Sequence, residues 1–303
     1  ALVAEAEPPR SVDGTETGVA DGGDAAAQPI VFLHGGTPGI TPYAGGTHVW
    51  GGVPGRFAGR HRVVAIDLLG SGRTGYPDRP ALIDDYGRHA LATLAALGVE
   101  GAHVVGHDLG GAVAFWLGAK GGGRIASLTV VASAEPTPLI DSLEDLTFLN
   151  PPGRDYDYEM QRWAYDRVSY CDRHIDGALM AASLAAAAAP GVTKARHFMA
   201  DPAALPRLTA SIGRLKAEMW TLNKTTGWPV PVQYIWGADD PLTPRERGFK
   251  LFETLAASQP HCQFHLVPRC GSFVFREHPQ HFVDLVDAFV DGLAETPEAF
   301  RYP

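Results

Sequence analysis

Cysteine is scarce in this chain, and the little there is forms no pattern. Cys171, Cys262 and Cys270 are the three thiols; an odd number without a Cys-x-x-Cys pair excludes a disulfide framework and points to a reducing compartment. Positive charge is also in deficit: 25 Lys and Arg against 34 Asp and Glu leave a net −9, which excludes the basic footprint of a nucleic-acid binder. No apolar run reaches the ~20 residues that span a bilayer, and no basic region followed by an apolar one opens the chain, so no membrane association is expected. There is no internal repeat, no low-complexity tract beyond the alanines at 185–189, no glycine loop placed for a nucleotide phosphate and no metal cluster. No cofactor and no metal are expected.

What is present, 303 residues with 45% hydrophobic and 19% charged side chains, suits a cytoplasmic globular protein, monomer or homodimer, that handles a small molecule. After one or two edge strands within residues 1–29, marked by Asp13-Gly14 and Asp21-Gly22-Gly23 turns, comes the apolar run Pro29-Ile30-Val31-Phe32-Leu33. Continuous runs of this kind build parallel sheets. A helical turn around Trp50, a strand at 62–67, an amphipathic helix at 84–97 stopped by Gly98, and strands at 104–107, 127–132, 230–236 and 263–267 follow, with a last helix at 280–293. The alternation predicts an α/β fold with a mostly parallel central sheet and helices on both faces. Residues 137–228 break the rhythm with helical stretches at 159–170 and 172–188. They are expected to form a helical cap, with 1–136 and 229–303 as the core domain.

The chain is organised around Gly106-His107-Asp108-Leu109-Gly110-Gly111, a strand turning sharply into a helix. Flanking glycines remove the Cβ atoms that would clash in so tight a bend, and the central side chain is left at an exposed corner where the next N–H and the helix dipole point at the bond being attacked. Asp108 is the candidate nucleophile; the alternative is a plain helix N-cap. His107, next to it, is expected to point away from the site because strand neighbours alternate.

Three further segments fall at strand ends, where open α/β sheets carry their sites. His34-Gly35-Gly36 suits an oxyanion pocket in which the N–H of Gly36 is joined by that of Leu109. Trp236-Gly237-Ala238-Asp239-Asp240 offers an acid able to orient an imidazole, Asp240 first and Asp239 in reserve. Glu135, past the strand at 127–132, is a second position for a carboxylate.

Together with Glu277-His278-Pro279, these segments resemble the α/β-hydrolase superfamily over nearly the whole chain outside the cap. The aspartate at the elbow is similar to the epoxide hydrolase and haloalkane dehalogenase branch. The resemblance implies that the carboxylate attacks carbon, forms an ester, and leaves a histidine-activated water to hydrolyse it. Two positions depart from that pattern. Ser272 stands where the branch carries its base, and serine has no group that takes a proton near neutral pH. His278 belongs to a structural segment rather than replacing the base. Leu109 stands where dehalogenases place a halide-holding Trp, which turns the reading from halide release toward epoxide opening.

A hydrophobic, ring-bearing substrate is expected from the cap aromatics. Tyr156, Tyr165, Trp163 and Trp228 are candidates for contacting it, with His34 and Phe273 from the core, and a cap tyrosine for protonating the epoxide oxygen. Three readings stay open. The chain is an epoxide hydrolase-like enzyme disabled by a His-to-Ser change, which the intact Asp240 favours; or a natural non-hydrolytic decarboxylase, cyclase or lyase of the same fold; or a ligand-binding pseudoenzyme.

Overall fold

A computed structural model describes residues 8–137, 147–148, 150–153 and 155–295. In chain order its strands are β1 (Arg10–Val12), β2 (Thr15–Thr17), β3 (Val19–Gly23), β4 (Pro29–Leu33), β5 (Arg62–Ile66), β6 (Ala102–His107), β7 (Ile125–Val131), β8 (Val232–Gly237) and β9 (Cys262–Val267). Its α-helices are α1 (Val53–Phe57), α2 (Ile83–Ala96), α3 (Leu109–Lys120), α4 (Tyr158–Arg167), α5 (Gly177–Ala187), α6 (Pro190–Met199), α7 (Ala204–Thr225), α8 (Arg245–Ala256), α9 (Val274–Glu277) and α10 (Pro279–Glu295).

Seven strands form one sheet in the order β3-β5-β4-β6-β7-β8-β9, with β3 alone antiparallel to its neighbour. This is the mostly parallel α/β architecture expected from the alternating pattern. Each parallel strand has period-two contacts. Val31, Leu33 and Val104 face one core with α2, α3 and α7, while Ile30, Phe32 and Val105 face the other with Trp50, Phe57, Phe275 and Phe282. Burial on both faces explains why these strands read as unbroken apolar runs.

Register then positions the site. Leu33 pairs with Gly106, His107 with Val131, Val131 with Ile235, and Gly237 with Val267. The segments after β4, β6, β7, β8 and β9 therefore emerge along one edge. From β4 the chain goes to β5 on one side and later to β6 on the other, so strand order reverses between β4 and β6, where a crevice opens at the carboxyl ends.

Some local expectations change. Asp13 and Gly14, with φ of 48° and 79°, make the β1–β2 turn. Asp21-Gly22-Gly23 is instead part of β3: pairing with β5 overrides its turn chemistry, and Asp21 takes a two-point bond from Arg62 at 3.1 and 2.7 Å. The stretch 172–188 is shorter than expected, with a 3₁₀ turn at Asp172–His174 ahead of α5. Helices α6, α7 and α8 were not anticipated. In α7, Leu208, Leu215 and Met219 pack into the sheet-face core, so this helix flanks the sheet rather than lying over its edge as expected of the cap. Among the described residues no single helix is long and apolar enough to cross a membrane; only α5 and α6, bent by 68°, meet that test jointly.

Gly110 shows how tightly the elbow is built. A Cβ there would stand 2.1 Å from the Leu33 carbonyl oxygen and 2.6 Å from that of His34, and backbone cannot swing aside. Gly110→Ala is expected to cost ~1–3 kcal/mol, the usual range for overpacking, read as a lowered urea midpoint with unchanged slope.

Candidate active site

Asp108 occupies the corner between β6 and α3 with φ 51° and ψ −121°, a conformation that costs a non-glycine residue ~1–3 kcal/mol. Its backbone is held on both sides. The N–H donates to Val131 O at 3.1 Å. The carbonyl accepts from Gly111 N–H at 2.8 Å and from the Ser133 hydroxyl at 2.7 Å. The side chain makes no capping bond to α3; Oδ2 instead accepts the Gly36 N–H at 2.7 Å. Asp108 thus holds the N-cap position of α3 without capping it through its side chain. One carboxylate oxygen sits on the backbone donor that a nucleophile's oxyanion would use. Leu109 opens α3 with its side chain buried in the core.

Several expected ligand contacts are engaged elsewhere. His34 is fully buried. Its Nε2 accepts from Leu68 N–H at 3.0 Å, which leaves the proton on Nδ1 for Gly35 O at 2.8 Å. It braces the loop and has no free polar edge. Tyr156 donates its hydroxyl to Thr41 O at 2.7 Å and accepts from Gly39 N–H at 3.2 Å, which removes it as a free proton donor. Tyr165, 0% exposed, has its hydroxyl 2.8 Å from Ser183 Oγ. It stacks on Tyr43 at 4.7 Å, and Phe273, also 0% exposed, packs on both rings. Tyr165 and Phe273 therefore back the site through Tyr43 instead of meeting a ligand. Trp163 lies against Phe148 and under the Arg167 guanidinium. Trp228 is a correction. It precedes β8 and packs on Phe115 and beside Gly118 of α3, at the end of the sheet opposite the elbow.

Tyr43 is the residue that reading for cap tyrosines missed. Gly36, at φ 92°, is so close that a Cβ would lie 3.0 Å from the Tyr43 ring. Burial, with the Asp108 charge next in weight, pushes the phenol far above its ordinary range. No spacing rule marks a tyrosine seven residues along a loop.

Glu135 joins the elbow too. Its Oε2 accepts the Ser133 hydroxyl at 2.9 Å. Burial and then the Asp108 charge raise it well above the ordinary carboxylate range.

On the far side, the loop after β9 lies against the end of β8, where a Cβ on Gly237 would meet Gly271 O at 2.1 Å. Asp240 is buried there, with Oδ1 accepting Leu242 N–H (2.9 Å) and Thr243 N–H (3.0 Å) and Oδ2 the Thr243 hydroxyl. Asp239 is exposed and accepts Arg269 N–H. Ser272 donates its N–H to Val168 O at 2.8 Å; its buried Oγ, facing Asp240, has no hydrogen-bond partner. His278 sits 3.0 Å from Arg269 O through Nε2. His107 is shut among Trp50, Phe273 and Phe275, with burial lowering it to about 4. Among the described residues no histidine ring hydrogen-bonds Asp108, Glu135 or Asp240, and no cluster fit for a metal is found.

Burial raises Asp240 to about 7, the Thr243 and Leu242 donors offsetting part of the effect. Unfolded, it would titrate near ~3.9. Since the folded value is the higher one, the contribution of Asp240 to stability is complete below pH ~4 and is lost as pH rises through 7. The stability of the parent relative to Asp240→Asn is expected to fall between pH 5 and pH 8 by roughly 3 kcal/mol at most; urea unfolding at both pH values measures it.

The geometry and the comparisons agree on the class. The chain belongs to the alpha/beta hydrolase family, whose model matches residues 30–285. It is similar to the 2-hydroxymuconate semialdehyde hydrolase of Pseudomonas sp. (strain CF600), with 28% identity over 282 residues, 91% of each chain. Among solved structures it is similar to the 2-hydroxy-6-oxo-6-phenylhexa-2,4-dienoate hydrolase of Rhodococcus sp. strain RHA1, at TM-score 0.75 and 21% identity, covering 95% of this chain and 99% of that one. A serine hydrolase from the polyaromatic hydrocarbon-degrading bacterium Cycloclasticus zankles superposes at TM-score 0.74 with 18% identity, covering 96% and 99%. The family model carries the assignment, and none of these relatives bears the name of an epoxide hydrolase, the branch that the elbow aspartate resembles.

Proposed function

We propose that this chain is a hydrolase-family enzyme in which the Asp108 carboxylate, in place of a serine hydroxyl, attacks carbon of a small hydrophobic, ring-bearing molecule, in the manner of an epoxide hydrolase. The observation that carries the reading is the Gly36 N–H bond to Asp108 Oδ2 at 2.7 Å. It anchors one oxygen and leaves the other for attack. As the ester forms, the anchored oxygen becomes its carbonyl oxygen and stays on its donor, so nothing has to reorganise. An acyl substrate would need that same donor for its own oxyanion and would find it taken.

Attack makes the Asp108–carbon bond and breaks the carbon–oxygen bond of the ring, whose oxygen takes up a proton. With Tyr156 engaged, Tyr43 beside Gly36 is the tyrosine best placed for that transfer. Helices α4 and α5, within the expected cap, are the elements proposed to cover this edge. Ser272, where a base would be needed, leaves ester hydrolysis without its proton acceptor, so the ester is released slowly.

A second reading rests on the relatives' names, which are those of hydrolases acting on 2-hydroxymuconate semialdehyde and a phenylhexadienoate. Their substrates support a small unsaturated, oxo-bearing ligand for this site. Incubation with a hydrophobic aryl epoxide and intact-mass measurement tests the first reading: a stable adduct that is absent from Asp108→Asn is expected. Hydrolysis of a 2-hydroxy-6-oxo-dienoate with no epoxide adduct would replace it with the second. Turnover without any adduct would favour a lyase or decarboxylase, and binding alone a pseudoenzyme.

A further inference from the structure

A cleft of about 430 Å³ lies between the segment joining α4 to α5 and the loop and short helix that follow β9. Tyr170, Cys171 and Arg173 line one wall, and Pro268, Arg269 and Arg276 the other. Three guanidiniums thus share one hollow on a chain whose net charge is −9. The carboxylate in the lining does not neutralise them. Glu277 accepts the Gly271 N–H at 2.8 Å through Oε1 and those of Tyr170 and Cys171 at 3.0 and 3.2 Å through Oε2, so its oxygens are spent on backbone.

Each arginine is short of a counter-ion. Among the described residues Arg173 and Arg269 form no ion pair, and their guanidiniums meet no hydrogen-bond acceptor. Arg269 is nonetheless fixed in place at a φ of 55°, with its N–H on Asp239 Oδ2 at 2.9 Å and its carbonyl oxygen 3.0 Å from His278 Nε2. Arg276 is the buried one, its side chain 8% exposed. It donates to neutral groups: Val49 O at 3.2 Å, His174 O at 2.9 Å and His174 Nδ1 at 3.3 Å. The acid it meets, Asp176 at 3.5 Å, is itself exposed and caps α5 through the Leu179 N–H. Burial works against the charge of Arg276, and a cation taken from water without a close anion is costly. An anion in the cleft would offset that cost.

We propose that this cleft binds a small organic carboxylate with a flat apolar body, the three guanidiniums taking its charge and Tyr170 and Pro268 its ring. Guanidinium forks match a carboxylate in shape as well as charge, and a half-exposed phenol beside a proline offers a face for stacking. The occupant touches the expected cap and the core at once, tying the segment after α4 to the loop that carries Ser272. The site is separate from Asp108 and does not rest on its chemistry.

The test uses Cys171, half-buried in the cleft wall, as a reporter. Alkylation of the folded full chain is followed by peptide mass, with Cys262 as the reference thiol. Benzoate should protect Cys171 and leave Cys262 unaffected; benzamide, which has the ring without the charge, should protect neither. Arg173→Ala combined with Arg269→Ala should weaken protection by ~10–100-fold, what one charge-assisted hydrogen bond contributes. Arg276 is left in place because three bonds depend on it, and a urea midpoint confirms that the double variant is folded. Benzamide protecting as well as benzoate, or full protection in the double variant, overturns the proposal. Inorganic phosphate protecting as well as benzoate overturns the ligand class. Benzoate that leaves Cys171 alkylation unchanged at millimolar concentration overturns the site, whatever it does at Asp108.

Discussion

Replacing Ser272 by histidine is expected to turn a chain that forms an ester and stops into one that turns over. A positioned general base contributes ~10²–10⁴-fold to such a step, and ester release should accelerate within that range. A buried acid already stands near that position. Residue 272 is fixed through its N–H to Val168 O, its side chain faces a buried Asp240, and the serine Oγ there has nothing to bond. Asp240 accepts from Thr243 and Leu242, and burial still raises it to about 7; among the described residues its carboxylate pairs with no cation. An imidazolium at 272 would supply one, draw that value down and be oriented by it. The measurement is the decay of the epoxide adduct by intact mass, with Ser272→Ala as the control for side-chain loss. If the histidine variant releases its ester no faster than the alanine variant, position 272 is not a vacated base site, and the disabled-enzyme account falls.

The sheet was legible because its strands are buried on both faces and so are written as apolar runs; β4, β6 and β8 are buried throughout. The elbow was legible because few structures other than a cramped strand-to-helix corner need glycine on both sides of a polar residue. Beyond that corner, composition said which residue types were available and not where they faced. His34 was in the right loop, but its ring nitrogens are spent on Gly35 and Leu68. Trp228 had the right chemistry at the wrong end of a strand. Tyr43 and Glu135 reach the site through loop conformation and a Ser133 contact, and neither leaves a periodic signal in sequence. Helix α7 does carry such a signal, with Leu208, Leu215 and Met219 on its buried side, but the polar and charged residues between them, Arg214 and Lys216 included, obscure it.

The second large effect concerns the nucleophile itself. Asp108→Ser should abolish the epoxide adduct, since an unactivated hydroxyl does not displace oxygen from an epoxide carbon. It should also empty the oxyanion site by removing Oδ2 from Gly36 N–H. Combined with Ser272→His, it sets a serine, a histidine and Asp240 at three strand ends that the register already brings to one edge, the arrangement that acyl transfer uses on many folds. Members of such a triad act as a unit, so each single variant should show almost no hydrolysis of an activated aryl ester. The pair should exceed either single variant by ~10²–10³-fold, about what one base or one freed oxyanion donor contributes. A gain of that size, checked by chromogenic ester hydrolysis, would mean that two substitutions separate this site from the serine chemistry of its relatives. Epoxide labelling that survives in Asp108→Ser would show that another group attacks, and the carboxylate at the corner would then have to be read as a binding residue.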